Sequence, residues 1–210
     1  MHVLFEDNHL LAVNKPAGLA TQPSENNEVN LEDVAKSFLK TRDHKPGNVY
    51  LHPLHRLDKP TSGIVLFAKT SKALSRLQEA MRKHEIKKTY WTIVEGRVVP
   101  KEKTLIHNLL HESHRAVVAK SGKEARLHYK VLEEKKNYTV VEIELHTGRY
   151  HQIRAQFSAI GHPVVGDKKY GAKSSLAKDT IALHHMRLSF THPVTKEEIV
   201  VNCPPPKISL

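Results

Sequence analysis

Six consecutive residues, Gly63-Ile64-Val65-Leu66-Phe67-Ala68, carry no polar side chain and follow a segment crowded with ionisable groups. The run is short for a helix and leaves no position for water, so it predicts a strand buried on both faces. Such a strand must be covered by other elements. Residues 3–5 and 10–14, around Asp7-Asn8, predict a short hairpin that ends at Lys15-Pro16-Ala17-Gly18. Leu31, Val34, Ala35, Phe38 and Leu39 share one helical face, with Asn30 as N-cap. Ser71 is read as the cap of a second helix whose Leu74, Leu77 and Met81 face the core. Residues 90–94, 116–119, 125–132 and 138–145 read as strands of an antiparallel set. Ile153, Phe157 and Ile160 mark a short helix stopped by Gly161. Residues 181–190 and 198–202 form a last strand pair, and 21–29 and 41–48 are loops. The expectation is one α+β domain over residues 1–210, built on a largely antiparallel sheet.

Charge narrows the partners. Lys and Arg total 33 against 22 Asp and Glu, a formal net charge of +11 over 210 residues. Such a surface concentrates polyanions, and nucleic acid gains further from counterion release. The plainer alternative is a set of solvated lysines. No apolar run approaches the roughly 20 residues needed to cross a bilayer. No long basic amphipathic helix stands out for a membrane surface, so no membrane partner is expected. The N-terminus lacks a basic stretch followed by an apolar core, so no signal peptide is expected. A single cysteine, Cys203, excludes an internal disulfide framework and any multi-Cys metal site. A cytoplasmic setting fits.

Three polar clusters interrupt otherwise foldable segments. In His52-Pro53-Leu54-His55-Arg56-Leu57-Asp58-Lys59-Pro60-Thr61-Ser62, directly before the buried strand, Asp58 could be held as a nucleophile or base. The alternative is a surface loop with Asp58 paired with Arg56 or Lys59, since ion-pair networks are common. His52, His55 and Asp58 have types that suit a divalent metal, but Pro53 and Pro60 oppose a regular helix that would align them, and no metal site is assigned. In Lys87-Lys88-Thr89-Tyr90-Trp91, basic residues lie beside rings that can stack on an unstacked base; the alternative is a ring that simply faces the core. In His146-Thr147-Gly148-Arg149-Tyr150-His151-Gln152-Ile153-Arg154, arginines surround a helix start suited to anions. Arg149 and Arg154 are five apart and cannot share one helical stripe. The alternative is a capping turn with solvated arginines.

Taken together and in order, these segments resemble the RluA-like family of RNA pseudouridine synthases. The resemblance is carried by His55-Arg56-Leu57-Asp58 with Thr61-Ser62-Gly63, by Lys88-Thr89-Tyr90, by Gly148 through Arg154, and by Gly166-Asp167. The opening Asp7 through Gly18, the late Ala182-Leu183-His184 and His192-Pro193 fit the same family. Each motif alone is modest; their order along nearly the whole chain is specific.

The resemblance implies a catalytic fold with a mixed, mostly antiparallel sheet flanked by helices and loops. It implies isomerisation of uridine to pseudouridine in ribosomal or transfer RNA, without cofactor or metal, by a monomer. Asp58 then matches the catalytic aspartate, Tyr90 the tyrosine that stacks on the flipped uracil, and Arg154 the basic residue that pairs with the aspartate. Arg56 matches the residue that fills the place of the flipped base. An enzyme acting on a base must extrude it from the stack, which gives these residue types a physical task. His55, Lys83, Lys87, Lys88, Arg149 and His151 are the remaining candidate RNA contacts. Lys59 and Pro60 stand where many members carry an arginine and another polar residue, which concerns loop contacts. Many relatives carry an N-terminal S4 RNA-binding domain; here the chain is expected to start directly at the catalytic domain. The alternatives are a catalytically inactive RNA-binding protein of the same fold and a metal-dependent nuclease using His52, His55 and Asp58.

Overall fold

The structure, a computed structural model, describes residues 1–23, 28–44 and 46–208. The loops expected over 21–29 and 41–48 fall in part on residues 24–27 and 45, outside the described residues. The chain divides into two compact units: Met1–Ile86 with Met186–Pro204, and Lys87–His185 with Pro205–Leu210.

The first unit contains β1 (His2–Glu6), β2 (Leu10–Lys15), α1 (Leu31–Arg42), β3 (His52–Pro53), β4 (Ser62–Ala68) and α2 (Ser71–Arg82). It closes with the greater part of β10 (Leu183–Thr191) and with β11 (Glu198–Asn202). The strands run in the order β1-β2-β4-β10, with β3 on β4 and β11 on β10. The pairs β1–β2, β2–β4, β3–β4 and β10–β11 are antiparallel. Ile64 through Ala68 are all fully buried, as the apolar run predicts. Leu10, Ala12, Ile64 and Leu66 join Ala73 and Leu77 of α2 and Leu188 of β10 in one core cluster. At roughly 1.5–3 kcal/mol per fully buried Leu or Ile, that cluster is a main source of this unit's stability.

Helix ends follow the sequence closely. Asn30 Oδ1 accepts from the Asp33 amide at 3.1 Å and caps α1. For α2 the cap is Thr70, not Ser71: Thr70 Oγ1 accepts from the Ala73 amide at 3.2 Å, and Ser71 is the first helical residue. Both hydroxyls suit the role; the extended backbone of Thr70 decides which one takes it.

The second unit contains β5 (Lys87–Glu95), β6 (Glu102–Glu112), β7 (Arg115–Val118), β8 (Lys123–Glu134) and β9 (Tyr138–Leu145). α3 (Gln152–Ala159) and a 3₁₀ turn (Lys168–Tyr170) follow. The order is β5-β9-β8-β6-β7, antiparallel at every step. Ala155 of α3 joins Leu109, Ala116, Ala125 and Tyr170 in a core cluster. The Phe157 ring lies 5.5 Å from that of Tyr129. The β6 strand is an addition to the sequence reading, which placed no element over residues 102–112.

Candidate active site

Asp58 occupies a tight turn whose backbone is pinned on both sides. Before it, Thr21 Oγ1 donates to the Leu57 carbonyl at 2.9 Å and accepts from the Leu57 amide at 3.1 Å. After it, the Lys59 carbonyl accepts from the Gly18 amide at 2.8 Å and from Lys15 Nζ at 3.2 Å. The turn closes on itself, with the Thr61 amide donating to the Asp58 carbonyl at 2.9 Å. Gly18 has φ +83°, a left-handed conformation that glycine adopts without steric cost. The break at Lys15-Pro16-Ala17-Gly18 therefore does more than end a strand: it grips the Asp58 turn.

Lys15 is the functional candidate that the sequence reading passed over. It is fully buried. Its ammonium donates to the carbonyls of Pro16 at 2.9 Å, Leu19 at 2.6 Å and Lys59 at 3.2 Å. Burial pushes its pKa down to about 7, opposed by attraction to Asp58. A lysine at a strand end carries no local sign that its ammonium will be enclosed.

The other candidates of the first unit take different places. Arg56 is exposed. His55 is partly buried, and its Nε2 lies 3.4 Å from the Leu66 amide, so the ring braces the loop against β4. Lys83, at the end of α2, is exposed and paired with Glu79 at 2.8 Å. Among the described residues, no group of three or more His, Cys, Asp or Glu side chains is placed to hold a metal ion.

In the second unit, Tyr90 projects from β5 into a buried position, 6% exposed. Its ring stacks on His185, centroids 4.5 Å apart and planes at 16°. His185 was not singled out by sequence, because the His184-His185 pair gave no sign of which ring faces inward. Lys87 is exposed. Lys88 is buried, and desolvation lowers its pKa; its Nζ approaches Gly148, where a Cβ would stand 3.6 Å away. Of the proposed phosphate contacts, Lys83, Lys87 and Arg149 thus lie at the surface, while Lys88 lies inside.

Arg154 is buried in α3 and held by Asp167, Nε to Oδ2 at 2.6 Å and Nη2 to Oδ1 at 2.9 Å. Its guanidinium also lies over the Tyr170 ring, 4.9 Å from the centroid. The Tyr170 hydroxyl accepts from the Ala116 amide at 2.7 Å and lies 2.9 Å from His151 Nδ1. His151 begins α3 in a left-handed conformation, φ 49°. Burial, aided by Arg154 and Lys169, pushes its pKa down to about 3, so the ring is neutral. His151 is thus a buried residue at the start of α3.

Gln152 organises the approach to α3. Its Oε1 accepts from Thr147 Oγ1 at 2.8 Å and from the Arg149 amide at 3.0 Å. Its Nε2 donates to the Arg126 carbonyl at 3.1 Å and to Gln156 Oε1 at 3.0 Å. Arg149 stays exposed ahead of the helix and Arg154 is buried within it, so the helical-stripe argument does not apply to Arg149.

Comparison with known proteins adds an independent line. A family model described as RNA pseudouridylate synthase matches residues 9–159. The chain is 37% identical over 211 residues to an uncharacterized RNA pseudouridine synthase, YhcT, of Bacillus subtilis, covering 98% of this chain and 69% of that protein. It is 34% identical over 215 residues to ribosomal large subunit pseudouridine synthase D of Zymomonas mobilis, covering 95% and 67%. Among solved structures it is similar to human RNA pseudouridylate synthase domain containing 4, with TM-score 0.82 and 24% identity over 98% of this chain and 89% of that one. Human RNA pseudouridylate synthase domain containing 1 follows, with TM-score 0.78 and 25% identity over 98% and 83%.

Proposed function

From the premise that the chain belongs to the RNA pseudouridylate synthase family, we propose that it isomerises particular uridines of ribosomal or transfer RNA, with Asp58 as the nucleophile. In this reading the N1–C1′ glycosidic bond of the target breaks, the uracil turns, and C5 bonds to C1′. Atoms balance within one nucleotide, apart from a proton that leaves C5 and a proton that N1 gains. The target base leaves its stack to be reached, Arg56 enters the vacated place, and Tyr90 contacts the uracil.

The observation that supports this reading most is the Asp58 turn. Four hydrogen bonds from Thr21, Gly18 and Lys15 hold the backbone on either side of one carboxylate. A nucleophile gains from such preorganisation, because the orientation is set before the substrate arrives. We read the whole chain as one catalytic domain that acts as a monomer in the cytoplasm.

The test is Asp58→Asn. The variant is expected to lose isomerisation while it binds RNA as the wild type does. Mapping pseudouridine across cellular RNA with and without the protein then names the target site. Full activity in Asp58→Asn overturns the assignment of Asp58, and an unchanged pseudouridine map overturns the synthase reading.

A further inference from the structure

The second unit carries a groove of about 470 Å³ whose lining includes none of the residues assigned to the reaction above, although Tyr170 in that lining touches Arg154. One wall is β7 (Arg115–Val118), the other is the 3₁₀ turn Lys168–Tyr170, and Ala155 and Ser158 of α3 lie at the floor.

Its walls are tied to each other. The Ala116 amide donates to the Tyr170 hydroxyl at 2.7 Å, across the groove. Lys169 Nζ donates to the His114 carbonyl at 3.1 Å, and Ser158 Oγ to the Tyr170 carbonyl at 2.8 Å. The His114 carbonyl also accepts from the Tyr150 hydroxyl at 3.4 Å, which anchors the β6–β7 turn. The shape is therefore set before any ligand arrives, and a ligand meets a low ordering cost there.

The lining carries three cations, Arg115, Lys168 and Lys169, all exposed, and no carboxylate. Lys168 and Lys169 donate to the carbonyls of Lys173 and His114, which orient each ammonium without cancelling its charge. Glu95 reaches Lys168 only electrostatically, since its carboxylate is bound by Lys173 and Ser174. Among the described residues, the Arg115 guanidinium makes no ion pair. Three cations on a fixed frame, of which only Lys168 feels a carboxylate, that of Glu95, suit a ligand with several negative charges.

We propose that this groove binds the phosphodiester backbone of the substrate RNA, outside the target nucleotide. The proposal rests on the reading that RNA is the substrate. An RNA engaged at its target uridine presents its flanking phosphates at high effective concentration, so three modest contacts add usefully to capture.

The experiment compares the Arg115→Glu/Lys168→Glu/Lys169→Glu triple with Lys101→Glu/Lys135→Glu/Lys136→Glu. The second set makes the same change of net charge on exposed residues of the same unit. Probes are a short stem–loop RNA, a longer transcript that contains it, and polyglutamate. The groove triple is expected to bind the longer transcript about tenfold or more weakly, with the slope of log K against log salt reduced by about 2. Its affinity for the short stem–loop stays near that of the wild type, and the control triple loses much less. The matching alanine triple, which adds no buried charge, shows a smaller loss in the same direction. Equal losses in the two reversal triples, or unchanged binding of the transcript, overturn the proposal. Loss of polyglutamate binding with transcript binding intact assigns the groove to an acidic protein and overturns it as well. Wild-type protein that binds neither RNA overturns the RNA reading itself, and the groove's role with it.

Discussion

Arg154 and Asp167 form a two-bond ion pair sealed from solvent: their side chains are 5% and 2% exposed, and Nε meets Oδ2 at 2.6 Å. Removing the carboxylate charge takes the two-bond partner away from a buried guanidinium. Asp167→Asn is therefore expected to destabilise the protein by about 3–5 kcal/mol, read by urea unfolding. Activity should fall with it, since the arginine loses its fixed orientation. Unfolding at the wild-type urea midpoint would refute this account of the pair.

Thr21 grips Leu57 through both its carbonyl and its amide. Thr21→Val preserves shape and removes both bonds. The expected stability cost is about 1–3 kcal/mol, because the backbone groups stay buried. The turnover rate should drop more than RNA affinity does, since the loss is in the placement of Asp58. Equal changes in kcat and in RNA Kd would point away from positioning.

Lys15 satisfies three carbonyls at once. Lys15→Met keeps the length of the side chain, takes this donor from the Pro16 and Leu19 carbonyls and leaves the Lys59 carbonyl its bond from the Gly18 amide. A lower melting temperature is expected, measured by calorimetry at neutral pH. With a folded-state pKa of about 7 against 10.5 in a free chain, wild-type stability should rise as pH increases from 7 towards 10.5. Over that range the unfolded chain holds the extra proton. Lys15→Met should lose that part of the slope.

His151 predicts the acid side. Its folded-state pKa is about 3 against an ordinary 6.5. Between these values the unfolded chain binds a proton that the native state refuses, so stability falls as pH drops from 6.5 to 3. The steepest contribution is about 1.4 kcal/mol per pH unit for one proton. His151→Asn tolerates the left-handed backbone and cannot titrate. Its stability should therefore fall less steeply over the same range, whatever its absolute value, as chemical denaturation across pH would show.

Local signals are legible in the sequence where the cause is local. Asn30 caps α1 because its side chain reaches an amide three residues on. The apolar run 63–68 became a buried strand because no residue in it can face water. The strand over 102–112 escaped notice for the opposite reason. Only Leu105 and Leu109 are buried there, a spacing of four that fits a helix as readily as a strand. Pairing with β8, from Glu102 opposite Lys130 to Leu109 opposite Lys123, makes it a strand.

For the candidate site, the order of motifs picked out Asp58, Tyr90 and Arg154 as residues but left their surroundings open. Nothing near Lys15, Lys88 or His151 in the chain distinguishes them from Lys83, Lys87 or Arg149. The first three are enclosed and the second three are exposed. The sequence by itself determined the Asn30 cap, the buried strand and the family, but not which of Thr70 and Ser71 caps α2. Tertiary structure alone decided which charges lose their water and which partners hold them, because desolvation depends on segments far apart in the chain. Asp167 reaches Arg154 across thirteen residues and Thr21 reaches Leu57 across thirty-six, and no local pattern encodes either approach.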